Sequence, residues 1–255
     1  MDVSTDEVRR GAREAHAEHL ATMRSIRETV SRLFGGGRAT TREKHDAVTG
    51  GLDRRRLLRV GGLGIATAAI VAACGNDSSS GGAAEPTTTT AAGPGSTDIT
   101  ILRTATSLEL VAVDIYGKAI ASGVLTTPAV SDAAKLFQSH HQDHATFLAG
   151  LTRRYGGAAF DKPNPVLAQQ LAGPLTQATT EAALVTLALQ LEQAAAASYV
   201  SYVGRYSTPV LAQPTMSVGG IEARHAAVLA PIVNQPASPA AFQASSGGLA
   251  AGTGV

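Results

Sequence analysis

Two ionisable side chains in the stretch Ile221-Glu222-Ala223-Arg224-His225-Ala226-Ala227-Val228-Leu229 stand where a helix would put them together. Glu222 and His225 are three residues apart, a step that returns to the same helix face. That face is otherwise apolar, carrying Val218, Leu229 and Ile232. A carboxylate aimed into a core costs several kcal/mol or more unless it is partnered. Two kinds of partner satisfy it: a buried ion-pair network, with Arg224 close by, or a metal ion.

The same question arises at three other places. Glu109 lies in the middle of the stripe Leu102, Ala105, Ala112, Val113, Tyr116 and Ile120. Glu192 lies in the middle of Leu184, Val185, Ala188, Leu189, Ala195, Ala196, Tyr199 and Val203. His141 and His144 interrupt Ala134, Phe137, Leu148 and Leu151. Hard carboxylate oxygens balance divalent cations, while imidazoles fix geometry and leave positions open for oxygen or peroxide. One inward Glu on each of two helices, with Glu-x-x-His on the other two, is the donor pattern of carboxylate-bridged di-iron and di-manganese bundles. Tyr116 and Tyr199, each seven residues after a lone Glu, can hydrogen-bond to the ligands from behind. Continuing a packed stripe is their other role. Asp114, His140 and Asp143 fall off the inward stripes, although a register shift brings His140 in one turn before His144.

The elements that must position these residues read as four long helices. The first runs from about 99 to 121. The second starts at Thr127-Pro128, Thr as N-cap and Pro in the first turn, and stops at Gly156-Gly157. A loop at Asp161-Lys162-Pro163-Asn164-Pro165 leads into a short irregular segment, 166–175. The third helix spans about 179–206. The fourth follows Pro209 and Pro214 and is stopped by Pro231. Gly219 and Gly220 weaken it by about 1 kcal/mol each relative to Ala, which is tolerable if a neighbour packs close there.

Composition agrees with an all-α domain and divides the chain. With no Trp, few aromatic residues and many Ala and Leu, the region beyond residue 97 lacks the alternation of a sheet protein. Residues 1–73 carry 13 Lys+Arg against 9 Asp+Glu, net +4, and the remainder 8 against 11, net −3. The two parts therefore meet different surroundings. The acidic part has no basic patch, which argues against a nucleic-acid partner. A single cysteine, Cys74, excludes an internal disulfide framework.

Five segments follow. Residues 1–52 are a polar extension in which 3–34 form an exposed helix, with Leu20, Met23, Ile26, Val30 and Phe34 as a narrow apolar stripe; an interaction helix and an extended signal n-region are both open. Residues 53–74 hold Asp53-Arg54-Arg55-Arg56-Leu57-Leu58-Arg59, the apolar run 60–73, and Val71-Ala72-Ala73-Cys74. This resembles a twin-arginine signal, with Arg54 and Arg55 as its pair, followed by a lipobox in which Cys74 is lipidated. The run has 14 residues, fewer than the roughly 20 that span a bilayer. The 75–97 stretch of Gly, Ser, Thr, Ala and Pro reads as a disordered tether. Residues 98–233 are the helical domain, and 234–255 a disordered tail.

The domain resembles the ferritin-like superfamily, in particular exported bacterial ferritin-like domain proteins. The likeness rests on Ser107-Leu108-Glu109 to Tyr116, on His141-Gln142-Asp143-His144 with Phe147-Leu148, on Leu191-Glu192 to Tyr199, and on Ile221 to Ala227. It implies an up-down four-helix bundle with one long crossover, and a centre binding one or two iron or manganese ions with oxidase, ferroxidase or peroxide-detoxifying chemistry. Its setting is a lipoprotein at the outer face of the cytoplasmic membrane, with a homodimer compatible. One departure stands out: His141 occupies the position of a Glu in that pattern. A Glu can bridge two cations and a neutral imidazole cannot, so the set suits one ion or two held asymmetrically. The competing reading is a metal-free bundle with a structural or interaction role in the envelope, since fold alone does not choose a function.

Overall fold

The computed structural model describes residues 5–34 and 95–255. Within them are six α-helices, two short 3₁₀ turns and no strand. Residues 1–27 and 93–255 form one compact unit. The second, 28–92, contains only the last turns of α1 among the described residues. Arg54, Arg55, Cys74 and most of the expected tether lie outside the described residues.

The helices are α1 (Thr5–Phe34), α2 (Ser96–Ala121), α3 (Pro128–Arg154), α4 (Pro165–Gln177), α5 (Glu181–Val203) and α6 (Ala212–Leu229). Helices α2 and α3, joined by a tight turn, pack most extensively, as do α5 and α6. Cross-helix contacts fix the directions. Glu109 meets His141 between α2 and α3, and Glu192 meets His225 between α5 and α6. Tyr116 reaches Glu192 while Tyr199 reaches Glu109, so α2 and α5 are antiparallel. Helices α3 and α5 therefore run the same way, and Thr127 at the start of α3 donates both its N–H and its hydroxyl to Glu181 in the first turn of α5, at 2.8 and 2.6 Å. The connection between them must return along the bundle. This is the long crossover expected from the sequence.

The crossover is more regular than expected. In place of an irregular 166–175 segment, α4 is a 13-residue helix, about 20 Å long at 1.5 Å per residue. Asn164 caps it, its Oδ1 accepting from the Leu167 N–H at 3.1 Å. The Asn164 amide also donates to Ser107 Oγ at 2.9 Å, pinning the crossover to α2. Thr127 is the N-cap residue of α3 with Pro128 beside it, as expected, but its hydroxyl serves Glu181 and makes no cap bond to its own helix.

Both ends of the chain depart further from the sequence reading. Residues 234–255, expected as a disordered tail, return to the bundle. Leu249 N–H donates to Ser198 Oγ at 2.7 Å, Tyr202 O–H to the Leu249 carbonyl at 2.6 Å, and Gly252 N–H to Thr104 Oγ1 at 2.8 Å. Gly248 lies so near the backbone of Ser198 that a Cβ there would sit 2.6 Å from it. Backbone hydrogen bonds hold this segment where its small side chains cannot. Helix α1 is not an exposed helix: Val8, Ala12, Ala15, His19, Met23 and Ile26 are buried, whereas Leu20 of the expected stripe is 49% exposed.

The core is built from small and branched residues: Ala105, Ala112, Ala133 and Ala196 allow close helix approach beside Leu102, Leu108, Phe137, Leu148 and Leu189, all buried. Burying each large apolar side chain is worth about 1.5–3 kcal/mol, which offsets the polar centre the bundle carries. Gly219 shows the close approach directly. A Cβ on it would lie 2.5 Å from Tyr199 Cβ, whereas Gly220 faces open space.

Candidate metal centre

The six ionisable residues expected to face inward all do so, none more than 1% exposed. Glu109 comes from α2, His141 and His144 from α3, Glu192 from α5, and Glu222 and His225 from α6. Their donor atoms form two overlapping quartets, each spanning no more than 4.8 Å. One is Glu109, His141, His144 and Glu222; the other is His141, Glu192, Glu222 and His225. Glu222 and His141 are common to both.

His141 sits at the middle. Its Nδ1 is 2.8 Å from Glu109 Oε2, and its Nε2 is 3.0 Å from Glu192 Oε1. His144 Nδ1 approaches Glu222 Oε1 to 2.8 Å, and His225 Nδ1 lies 3.2 Å from Glu222 Oε2 and 3.3 Å from Glu192 Oε2. The tyrosines close the set from outside in an exchanged arrangement. Tyr116 donates to Glu192 at 2.5 Å, and Tyr199 donates to Glu109. Phe137 stacks on His225 with ring centroids 4.0 Å apart, walling off that side.

Residues 97–235, more than half of the chain, match the profile of the ferritin-like domain. The chain belongs to the ferritin-like domain family. No curated protein and no solved structure matches it.

The donor set of this ferritin-like domain fits a divalent cation. His144 Nδ1 and Glu222 Oε1 are buried with no hydrogen bond, although only 2.8 Å apart. The contact is close, but the atoms are not aimed at one another. Donor atoms bound to one cation at about 2.0–2.2 Å each stand roughly 3 Å apart, so this pair is spaced as two ligands would be. Without His141, each quartet reduces to a symmetric triad, Glu109, Glu222 and His144 on one side and Glu192, Glu222 and His225 on the other. A neutral His141 has a single lone pair and can serve only one side.

Electrostatics in the absence of a cation follow from the same contacts. Burial disfavours charge on His141, but the carboxylates of Glu192 and Glu222 outweigh it and raise its pKa well above the usual range. His144 is pushed up to about 9 against its burial, chiefly by Glu222 and Glu109, and His225 is raised by Glu192 and Glu222. Burial would raise Glu109, yet the hydrogen bond from His141 and the nearby charge of His144 hold it at about 2. Glu192 is likewise held well below the carboxylate range, by His141 and His225. The protonated imidazole of His141 thus stands between two carboxylates as an internal cation.

Two histidines, His16 and His19, escaped the sequence reading, and a third, His140, was placed off its inward stripe. His140 is buried, sharing hydrogen bonds of 2.9 Å with both His225 and His16. His16 and His19 belong to α1. His19 stacks on His140 at 4.0 Å and is 3.2 Å from Asp143 Oδ2. The signal was present in the pattern Val8, Ala12, Ala15, His19, Met23, Ile26, a helical stripe once Ala and His are admitted to it. Arg224 does not cap Glu222; it pairs with Glu18 of α1. Asp114, as expected, is outside the core and pairs with Lys118 at 2.6 Å.

Proposed function

We propose that this ferritin-like domain binds one or two transition-metal ions, iron or manganese, in its core, and serves as an exported lipoprotein with oxidase, ferroxidase or peroxide-detoxifying activity. The observation that carries the reading is the convergence of three carboxylates and three imidazoles from four helices into two interlocked quartets. Bound ions would supply redox chemistry toward oxygen or peroxide. The chain's own contribution is separable from that. Glu109, Glu192 and Glu222 provide the negative charge. His144 and His225 surrender a proton to become donors. Tyr116 and Tyr199 fix the carboxylate orientations. His141 in place of a fourth carboxylate favours one ion, or two held unequally.

Metal analysis tests this on the full chain, purified without chelator and reconstituted with Fe(II) or Mn(II), beside a Glu222→Ala/His225→Ala variant. Two equivalents lost in the variant indicate a dinuclear centre, and one a mononuclear centre. No metal in either protein rejects the proposal. A second reading then takes its place, a metal-free envelope bundle, favoured by the way the His141 imidazole already satisfies Glu109 and Glu192.

Export and anchoring rest on Arg54-Arg55 and on Val71-Ala72-Ala73-Cys74. No helix among the described residues is long and apolar enough to cross a membrane. Mass spectrometry of the membrane fraction should find a mature form starting at diacylated Cys74, and a retained residue 1–73 segment would reject that part.

A further inference from the structure

Helices α3 and α6 touch each other far less than the pairs α2–α3 and α5–α6. Helix α1 lies along this thin seam. Gly11 faces Val228 of α6 so closely that a Cβ on it would be 3.0 Å from Val228 Cγ2, and Glu18 pairs with Arg224 of α6. On the α3 side, His16 bonds His140 and His19 bonds Asp143, while the His19 ring covers His140 and lies 5.1 Å from His144. Directly behind His140 and His144 stand His225 and Glu222. One layer of side chains separates α1 from the candidate metal centre.

The docking of α1 is weakly built. Its buried apolar side chains are mostly small, Val8, Ala12 and Ala15 with Met23 and Ile26. A groove of about 600 Å³ remains between it and α6, lined by Glu7, Arg10, Gly11, Arg224 and Val228 among others. His19 Nδ1 is buried with no hydrogen-bond partner, a loss that opposes docking. Sixty-one residues of sequence lie between Phe34 at the end of α1 and Ser96 at the start of α2. Helix α1 can leave without disturbing the connections of the other five.

We propose that α1 is a releasable closing helix: docked, it seals the α3–α6 seam and blocks exchange of a divalent transition-metal ion with the centre; undocked, it exposes His140 and His144 as the way in. Only the identity of what passes rests on the metal-binding reading. With the processing proposed at Cys74, α1 is severed from the bundle, so that closure belongs to the precursor.

The test uses the full chain and an Ala12→Glu/Ala15→Glu variant, which places two charges on the docked face. In metal-free protein, deuterium exchange at the imidazole C2 position, read by mass spectrometry, should accelerate at least tenfold at His19, His140 and His144 in the variant. In protein loaded with Mn(II), loss of the ion to excess EDTA should accelerate by a similar factor. Fast exchange at His19 with unchanged exchange at His140 and His144 overturns the proposal, as does equal Mn(II) loss from both proteins. If neither protein binds Mn(II), the metal reading has failed and the imidazole exchange alone decides whether α1 closes the seam. Should the variant not fold, a protease site inserted after Gly37 allows α1 to be cut away from folded wild-type protein, with the same two readouts.

Discussion

Replacing His141 with Glu reverses the charge at the middle of the centre, and the outcome depends on whether a cation is present. In the metal-free protein the imidazole of His141 contacts Glu109 at 2.8 Å and Glu192 at 3.0 Å, fully buried. A buried hydrogen bond to a charged group contributes about 1.5–3 kcal/mol, and breaking a buried ion pair costs about 3–5 kcal/mol. His141→Glu removes two such contacts and adds a fourth carboxylate, so a loss of at least ~3 kcal/mol is expected. At about 2–4 °C per kcal/mol for a domain of this size, the melting temperature in EDTA should fall by on the order of 10 °C. Added Mn(II) should reverse the order. The new carboxylate can bridge both triads, no His141 proton must be displaced, and an ion present at 1,000 times its dissociation constant stabilises by about 4 kcal/mol. Melting curves in EDTA and in Mn(II), with metal analysis of both proteins, provide the assay. A variant that melts in EDTA at the wild-type temperature would refute the view of His141 as an internal cation. A variant that falls in EDTA and gains nothing from Mn(II) would refute the metal-binding assignment.

Other expectations follow from single contacts. His144 has its pKa raised to about 9 in the fold, so its contribution is fully present below about pH 6.5 and is lost as pH rises through about 9; His141 and His225, also raised, act in the same sense. Metal-free protein should therefore melt progressively lower between pH 6.5 and 9, while metal affinity rises over the same range because bound protons compete. Calorimetry and competition titrations read the two trends. On the acid side, His19 is lowered to about 4 by burial and by His144, so docking of α1 should weaken as pH falls from 6.5 toward 4, measurable as faster amide exchange in residues 8–23. Gly219→Ala should cost about 1–3 kcal/mol through its clash with Tyr199, whereas Gly220→Ala, which meets open space, should gain up to ~1 kcal/mol; denaturant midpoints of the pair separate packing from helix propensity. Tyr199→Phe and Tyr116→Phe should each lower stability by about 1–3 kcal/mol, since each leaves a buried carboxylate oxygen short of a donor, and neither should change metal stoichiometry.

The four bundle helices and their six inward ionisable residues were legible because both signals are local: a 3.6-residue apolar period, ended by Gly and Pro, with a charge where an apolar residue would otherwise stand. What depends on neighbours was not. Seven residues along a helix separate Glu109 from Tyr116 by about 10 Å, too far for a hydrogen bond, and only an antiparallel α5 with the same spacing lets each tyrosine serve the other helix's glutamate. The tail was misread because its order lies in backbone hydrogen bonds at Leu249 and Gly252, which composition does not report. His140 is the most instructive case. It is adjacent to His141 and so lies about 100° away around α3, outside any stripe facing a four-helix core, yet it is as buried as His141. A polar side chain at the margin of a stripe can be buried only if something beyond the bundle covers it. The cover is α1, whose own stripe was set too far along because Ala12, Ala15 and His19 were not weighed as core. Small residues bury little area, so their pattern carries little energy and little signal. The same weakness that hid the docking of α1 from the sequence is what makes it releasable.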